Sequence, residues 1–396
     1  MISEYKLNNL VKPILNTYEE LENELIKNIA ENLQDEKIVK STTKKLLKIS
    51  QLDRQNVRAI AKAGKTTQKK VKEILHKVGF ETIDTPLYRE AYQKNLLMKN
   101  PEEIIKSPSI NRVIKQATKE TNNYLKLINN KARIKSKKAY KSIVNKAYIE
   151  SSSGLYTEDE SIRRALKELA DKGISVATYT RKDGKKVNYS IEGIVRRDIV
   201  TKVRQVGLAT KMEAIKEAGI EYVSVPAHLG ARIDTKNPIN NHVGWQGKIY
   251  KLNGSNKQHK NFYEETGYGE MLGLGGINCR HFFLPYIKGV SSKPDKVSTI
   301  ANERLYKLEQ QQRAYERDIR KWKRRLIVDE KDKRLKESTR IERVEFDKMK
   351  IRENQKKLKD FISRNKELRR DYEREYVYNS NGIEKSNWHF ITLMIH

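Results

Sequence analysis

GYGEMLGLGGINCRHFFLPYIKGVS, residues 267–291, departs from everything around it. Glycines, aromatic residues and the chain's only cysteine, Cys279, crowd into a segment too irregular for one helix, inside a sequence otherwise rich in lysine and glutamate. Its reading decides the fold. If this stretch is the centre of a small loop-rich domain, the charged periodic sequence on either side of it is left to form helical arms.

Working upstream, residues 222–225 (YVSV) read as a short strand ending at Pro226, preceded by a long helical pattern from about Glu192 to Ala218. Before that, ISVATYT and KKVNYSI alternate with period two around RKDG, which predicts a β-hairpin. Thr157 and Glu160 have capping-box spacing for a helix with Ile162, Ala165, Leu166 and Leu169 inward and Gly173 at its end. The run Ser151–Ser152–Ser153–Gly154 marks a boundary. These signals define a small α+β domain over residues 155–295.

Downstream of Thr299, Leu305, Leu308, Tyr315, Ile319, Trp322 and Leu326 follow a 3–4 seam, with Gln312 the polar position in it. DEKDKRLKES breaks the phase, and a second stripe runs through Ile341, Val344, Ile351, Leu358 and Ile362 with Lys348 and Gln355 polar. An antiparallel helical hairpin, or one kinked helix, is predicted over 299–378, with an apolar tail over 379–396 that ends in SNWHFITLMIH. Residues 1–150 read as an N-terminal helical region. Leu10, Ile14, Leu21, Leu25, Ile29 and Leu33 share one face, and the capping-box spacing of Thr17 and Glu20 predicts that the regular helix begins there. Separate helical stretches are expected over 38–50 and 54–78, the latter stopping at Gly79, and another from Ser109 to about Ile149. The fold class is therefore mainly α with a small α+β domain, long amphipathic helical arms at both ends, and a C-terminal helical hairpin or coiled coil.

Composition fits such a molecule. Of 396 residues 37% are hydrophobic and 34% charged, and only eight are proline, which suits long solvated helices better than one large globule. The formal net charge of +31 attracts polyanions, of which nucleic acid is the usual one; an acidic protein is the other partner it fits. A single cysteine excludes an internal disulfide. No apolar run approaches the ~18 residues of a membrane span, and MISEYKLNNLVKPILN lacks the apolar core of a signal peptide, so a cytoplasm-like setting without membrane contact is expected.

Between 228 and 281 fall His228, His242, His259, Cys279 and His281. His228, His242, Cys279 and His281 are a candidate closed Zn²⁺ site that would hold irregular loops together, although the spacing is not that of a zinc finger and Cys-x-His is tight for two ligands. His259, in the polar GSNKQHKN, reads as solvated. Alternatively Cys279 is a nucleophile activated by a histidine, or Cys279 and His281 simply fill a structural knot with Arg280 pairing to a carboxylate or carbonyl. Arg196, Arg197, Arg204 and Arg232 can be read as phosphate contacts or as internal ion pairs. In IRKWKRRL, Arg320, Lys321, Lys323, Arg324 and Arg325 are candidate nucleic-acid contacts around Trp322, which the heptad phase places in the seam instead.

The ordered segments SIRRALKELADKGI, VPAHLGARID, HVGWQGKIY, TGYGEMLGLGGINCRHFFLPYIKGVS and QQQRAYERDIRKWKRRL resemble the phage minor capsid protein 2 family of tailed phages and prophages of Gram-positive bacteria. YEELENELIKNIAENL is similar to that family's opening helix. The family is distantly similar to head-morphogenesis proteins of the Mu F type. The residues matching its pattern are His228, Gly230, Arg232, His242, Trp245, Gly247, Gly269, Gly273, Cys279, Arg280 and His281; Ile277 departs from it, standing where a Trp is expected. The resemblance implies a virion structural protein acting in head morphogenesis and carries over no catalytic residues. It implies portal and other capsid proteins as partners. It places the chain in the phage head, after assembly in the host cytoplasm, beside packaged double-stranded DNA that it would contact without sequence readout. The rival from another class is an effector enzyme, such as a nuclease or toxin, injected with the genome; the charged C-terminal helices lack the clustered carboxylates such an enzyme would need.

Overall fold

The computed structural model describes residues 4–34, 40–83, 85–180 and 184–377. Helices dominate, with two small antiparallel sheets. The tail over 379–396, including SNWHFITLMIH, and residues 181–183 of the hairpin loop lie outside the described residues. Two compact units divide the chain: Met1–Pro13, Gln68–Asn123 and Arg196–Gln310 form one, and Ile14–Thr67, Tyr124–Val195 and Gln311–His396 the other.

Helix α1 (Glu4–Asn32) runs through Pro13 rather than beginning at Thr17. Proline inside a helix costs about 3 kcal/mol. Burial of Val11, Ile14, Leu15 and Tyr18 on consecutive turns offsets that cost, and Pro13 itself faces solvent. Helix α2 (Thr42–Glu81) is likewise one element where two were expected. Gly79 does not stop it; a side chain there would come within 2.6 Å of Ile114, so the glycine permits close packing onto α5 (Pro108–Ser152). Two short helices, α3 (Thr85–Gln93) and α4 (Pro101–Ile105), connect α2 to α5.

In the unit that contains most of α1, the apolar stripe Leu21, Leu25, Ile29 and Leu33 is buried, together with Ile128, Ala132 and Tyr140 of α5. Buried amides link three helices: Asn28 donates to Asn56 (3.0 Å), and Asn56 to Ser136 (2.9 Å). Thr157 caps α6 (Glu158–Lys172) by accepting from the Glu160 amide, and Gly173 closes it with φ of 70°, both as expected. Strands β1 (Ser175–Thr180) and β2 (Lys186–Ser190) form the predicted hairpin and lead into α7 (Ile191–Glu217). The buried Glu22 carboxylate accepts from the amides of Ile174 (2.7 Å), Ile191 (3.3 Å) and Glu192 (2.8 Å), binding the base of the hairpin to the first turn of α7. Burial raises the Glu22 pKa, and the Arg324 charge opposes that rise.

Helices α10 (Thr299–Lys331) and α11 (Glu337–Arg364) are broken at the expected DEKDKRLKES interruption. Tyr315 meets Phe361 (ring centroids 5.4 Å) and Trp322 meets Phe346 (5.8 Å), so the pair is antiparallel, a hairpin rather than a kinked rod. Gln312, the polar seam position, is satisfied by the Arg369 carbonyl at 2.9 Å.

In the other unit, β3 (Tyr222–Val225) is the central strand between β4 (Lys248–Lys251) and the short β5 (Leu284–Pro285), all antiparallel. Helix α8 (His242–Trp245) and helix α9 (Phe262–Thr266) sit in the connections. Phe262, Tyr268 and Phe283 pack edge-on or tilted at 5.1–5.4 Å.

Candidate functional site

Residues 279–287 alternate strictly between buried and half-exposed. An extended backbone puts residues two apart on the same side. Cys279 and His281 therefore both turn inward, while Arg280 turns to the opposite side and pairs with Glu309 (2.9 and 2.8 Å) and the Gly230 carbonyl (2.9 Å). The tight Cys-x-His spacing is thus no obstacle to a shared site. Asn278, at φ of 57°, makes the turn that launches the segment.

Inside, one ligand atom each from His242, Cys279 and His281 lie within 4.8 Å of one another, and all three residues are buried. Cys279 Sγ is 3.7 Å from His281 Nδ1. The other ring nitrogen of His281, Nε2, is 2.8 Å from Gln246 Oε1, and His242 Nε2 is 2.9 Å from the Leu272 carbonyl oxygen. Since these oxygens can only accept, both imidazoles donate from Nε2 and keep the lone pair on Nδ1. Burial pushes the His242 pKa down to about 4 and that of His281 well below its ordinary value, so both rings are neutral. Burial also raises the Cys279 thiol pKa. A buried, protonated thiol is a poor nucleophile, which disfavours the Cys279 nucleophile reading.

His228, the fourth predicted ligand, stacks on His281 with ring centroids 4.0 Å apart but is not one of the three whose ligand atoms converge. Its Nδ1 is 2.9 Å from the Leu229 carbonyl. His259 lies elsewhere, edge-on to Tyr222.

The family-pattern residues build the walls. Trp245 is buried and donates to the Ile239 carbonyl (3.1 Å). Arg232 bonds Asn240 and the Ile277 carbonyl (2.8 Å). Gly247 donates to the Val225 carbonyl at the end of β3, and Gly269 adopts φ of 100° in the turn after α9. Gly230 has φ of 79°, and a side chain there would come within 2.6 Å of the Arg280 guanidinium. At Gly273 a side chain would overlap the Gly267 carbonyl. Arg204, read as a phosphate contact or an internal pair, donates to the Cys279 carbonyl (2.8 Å), and three contributors escaped the sequence reading: Gln246, Glu309, and Asn302, whose amide pairs with both backbone groups of Ala231. No local pattern marks them, because each partner is distant in sequence.

The basic run of α10 is engaged internally. Arg325 forks onto Asp171 (2.5 Å twice), Arg324 donates to the Ala170 carbonyl (2.7 Å) and approaches Glu192, and Arg320 bonds the Arg374 carbonyl. Lys321 is 3.9 Å from Asp171, and Lys323 lies over the Tyr376 ring. Arg197 pairs with Asp198. A different basic stripe is open to solvent: Arg54, Arg58, Lys62 and Lys65 on α2 are all exposed, and none has a carboxylate partner among the described residues. Spacings of four, four and three residues put them on one helix face, spanning about 17 Å.

Comparison with known proteins places these features. The family described as phage minor capsid protein 2 matches residues 2–363. A structural protein of Lactococcus phage LL-H is 26% identical over 364 residues, covering 88% of this chain and 91% of that one. A structural protein of Lactococcus phage mv4 is 33% identical over 128 residues, covering 31% of this chain and 96% of that one. No solved structure matches the chain.

Proposed function

Because the chain belongs to the phage minor capsid protein 2 family, we propose that it is a minor component of the phage head, bound to the portal or inner capsid and in contact with packaged double-stranded DNA. The α2 stripe is the observation that carries the DNA part of this reading. Four cations on one face, with no carboxylate partner among the described residues, suit phosphates, and phosphate contacts need no base readout. The net charge of +31 adds a long-range attraction for the same partner. For protein partners, Ile341, Phe346 and Met349 of α11 offer exposed apolar surface on the hairpin, which is the element proposed to mediate assembly.

The DNA contact is tested by binding random-sequence duplex at a series of salt concentrations. Neutralising phosphates releases counterions, so log K falls with log salt at roughly 0.9 per phosphate contact. Replacing Arg54, Arg58, Lys62 and Lys65 with Gln reduces that slope by about 3–4 while leaving the thermal transition in place. An unchanged slope in the folded variant refutes the assignment of DNA contact to α2.

A further inference from the structure

We propose that His242, Cys279 and His281 bind a structural Zn²⁺ ion, with His228, stacked on His281, supplying the fourth corner. A tetrahedral site with metal–ligand bonds of about 2.0–2.3 Å sets its donor atoms about 3.5 Å apart. The Cys279 Sγ to His281 Nδ1 distance of 3.7 Å is already at that spacing, and the three donors as a group lie within 4.8 Å of one another.

The surroundings of the rings point the same way. Metal-binding histidines characteristically donate their second ring N–H to an oxygen, which fixes the tautomer and leaves the other nitrogen for the metal. Both buried histidines do so, His242 to the Leu272 carbonyl and His281 to Gln246 Oε1. Gln246 is itself held by accepting from the His228 amide at 3.1 Å. Two nitrogens and one sulfur with no carboxylate in the group suit a borderline-soft cation and exclude calcium and magnesium, which take oxygen ligands. Burial of all three residues makes the role structural, since a catalytic zinc needs an open position that substrate can reach. Binding converts the Cys279 thiol to a zinc-bound thiolate and releases its proton to solvent. The ion would tie α8 to the extended segment after Asn278, in a region whose sheet pairs β5 through only Leu284 and Pro285.

Metal analysis and cobalt titration of the full-length chain decide the matter. The expected result is one zinc per chain after gel filtration, and a thiolate-to-cobalt charge-transfer band on Co²⁺ reconstitution. Cys279→Ser abolishes that band, and His228→Ala weakens Co²⁺ binding by roughly tenfold while keeping it. Should Cys279→Ser fail to fold, the wild-type zinc content and cobalt spectrum decide alone. A folded wild-type chain with neither zinc nor the band overturns the proposal. So does metal held equally well by a folded Cys279→Ser variant, which marks an adventitious ion only.

Discussion

Gly273 shows how narrowly single positions constrain the loop unit. Its backbone lies against Gly267 and Thr266, and the Leu274 amide donates to the Thr266 carbonyl at 2.9 Å. Rigid backbone rather than a movable side chain occupies the space a methyl group would need. Gly273→Ala is therefore expected to cost more than about 3 kcal/mol, measured as a fall in the urea midpoint of the transition that reports Trp245 fluorescence. Gly269→Ala makes the useful contrast. Nothing lies within 4 Å of its added Cβ, so only the left-handed backbone at φ of 100° opposes it and the loss is smaller. At the same scale Glu22 shows what one carboxylate does for a fold: three amides from the base of the hairpin and the start of α7 converge on it.

Among the elements, the α10–α11 hairpin carries a buried carboxyl, Asp347, whose titration is shifted. Asp329 and Asp347 are both buried; Lys167 lies 3.1 Å from Asp329, and the Arg325 charge also acts on the two carboxyls. Burial and then the Asp329 charge raise the Asp347 pKa from 3.8 to about 7. The folded chain thus keeps a proton that the unfolded chain has lost above about pH 4. The stability that this protonated carboxyl contributes is full below about pH 4 and is lost as pH rises from there through about 7. Asp347→Asn, which cannot ionise, is expected to raise the melting temperature at pH 8 by the equivalent of about 2–4 kcal/mol and to change it little at pH 4, where the unfolded chain still holds much of the same proton. Equal effects at both pH values contradict the proton retained on Asp347. The two helices of this hairpin and the break between them were legible in the sequence, because apolar positions three and four apart survive heavy surface charge and DEKDKRLKES interrupts them; the choice of a hairpin over one kinked helix needed the Tyr315–Phe361 and Trp322–Phe346 contacts. The β1–β2 hairpin and the Thr157 cap were legible for equally local reasons. The strand-like run through Cys279 was not: in CRHFFLPYI both alternating faces carry large apolar residues, so the period of two is hidden until burial reveals it. Nor does any local pattern foretell that Arg280 meets Glu309, or that Asn302 meets Ala231. His228, His242, Cys279 and His281 were named from residue type and their clustering between 228 and 281, and the structure brings the ligand atoms of the last three together.

For the whole molecule, charge and family point to the same setting. A formal charge of +31 carried largely on long helices is costly to concentrate unless a polyanion is near, and packaged DNA is such a polyanion. The three arginines of the α10 run, by contrast, are used within their own unit, so surplus charge in the sequence does not by itself locate a binding face. Family membership makes the chain a phage structural protein, and the proposed site in the head follows from that together with the exposed cations. The most direct measurement is cross-linking mass spectrometry on purified, DNA-filled heads of the phage that encodes it. The expected result is a low-copy chain cross-linked to the portal protein and, through α2, to DNA. Absence of the chain from purified heads, with recovery only from the free fraction of the lysate, would contradict it.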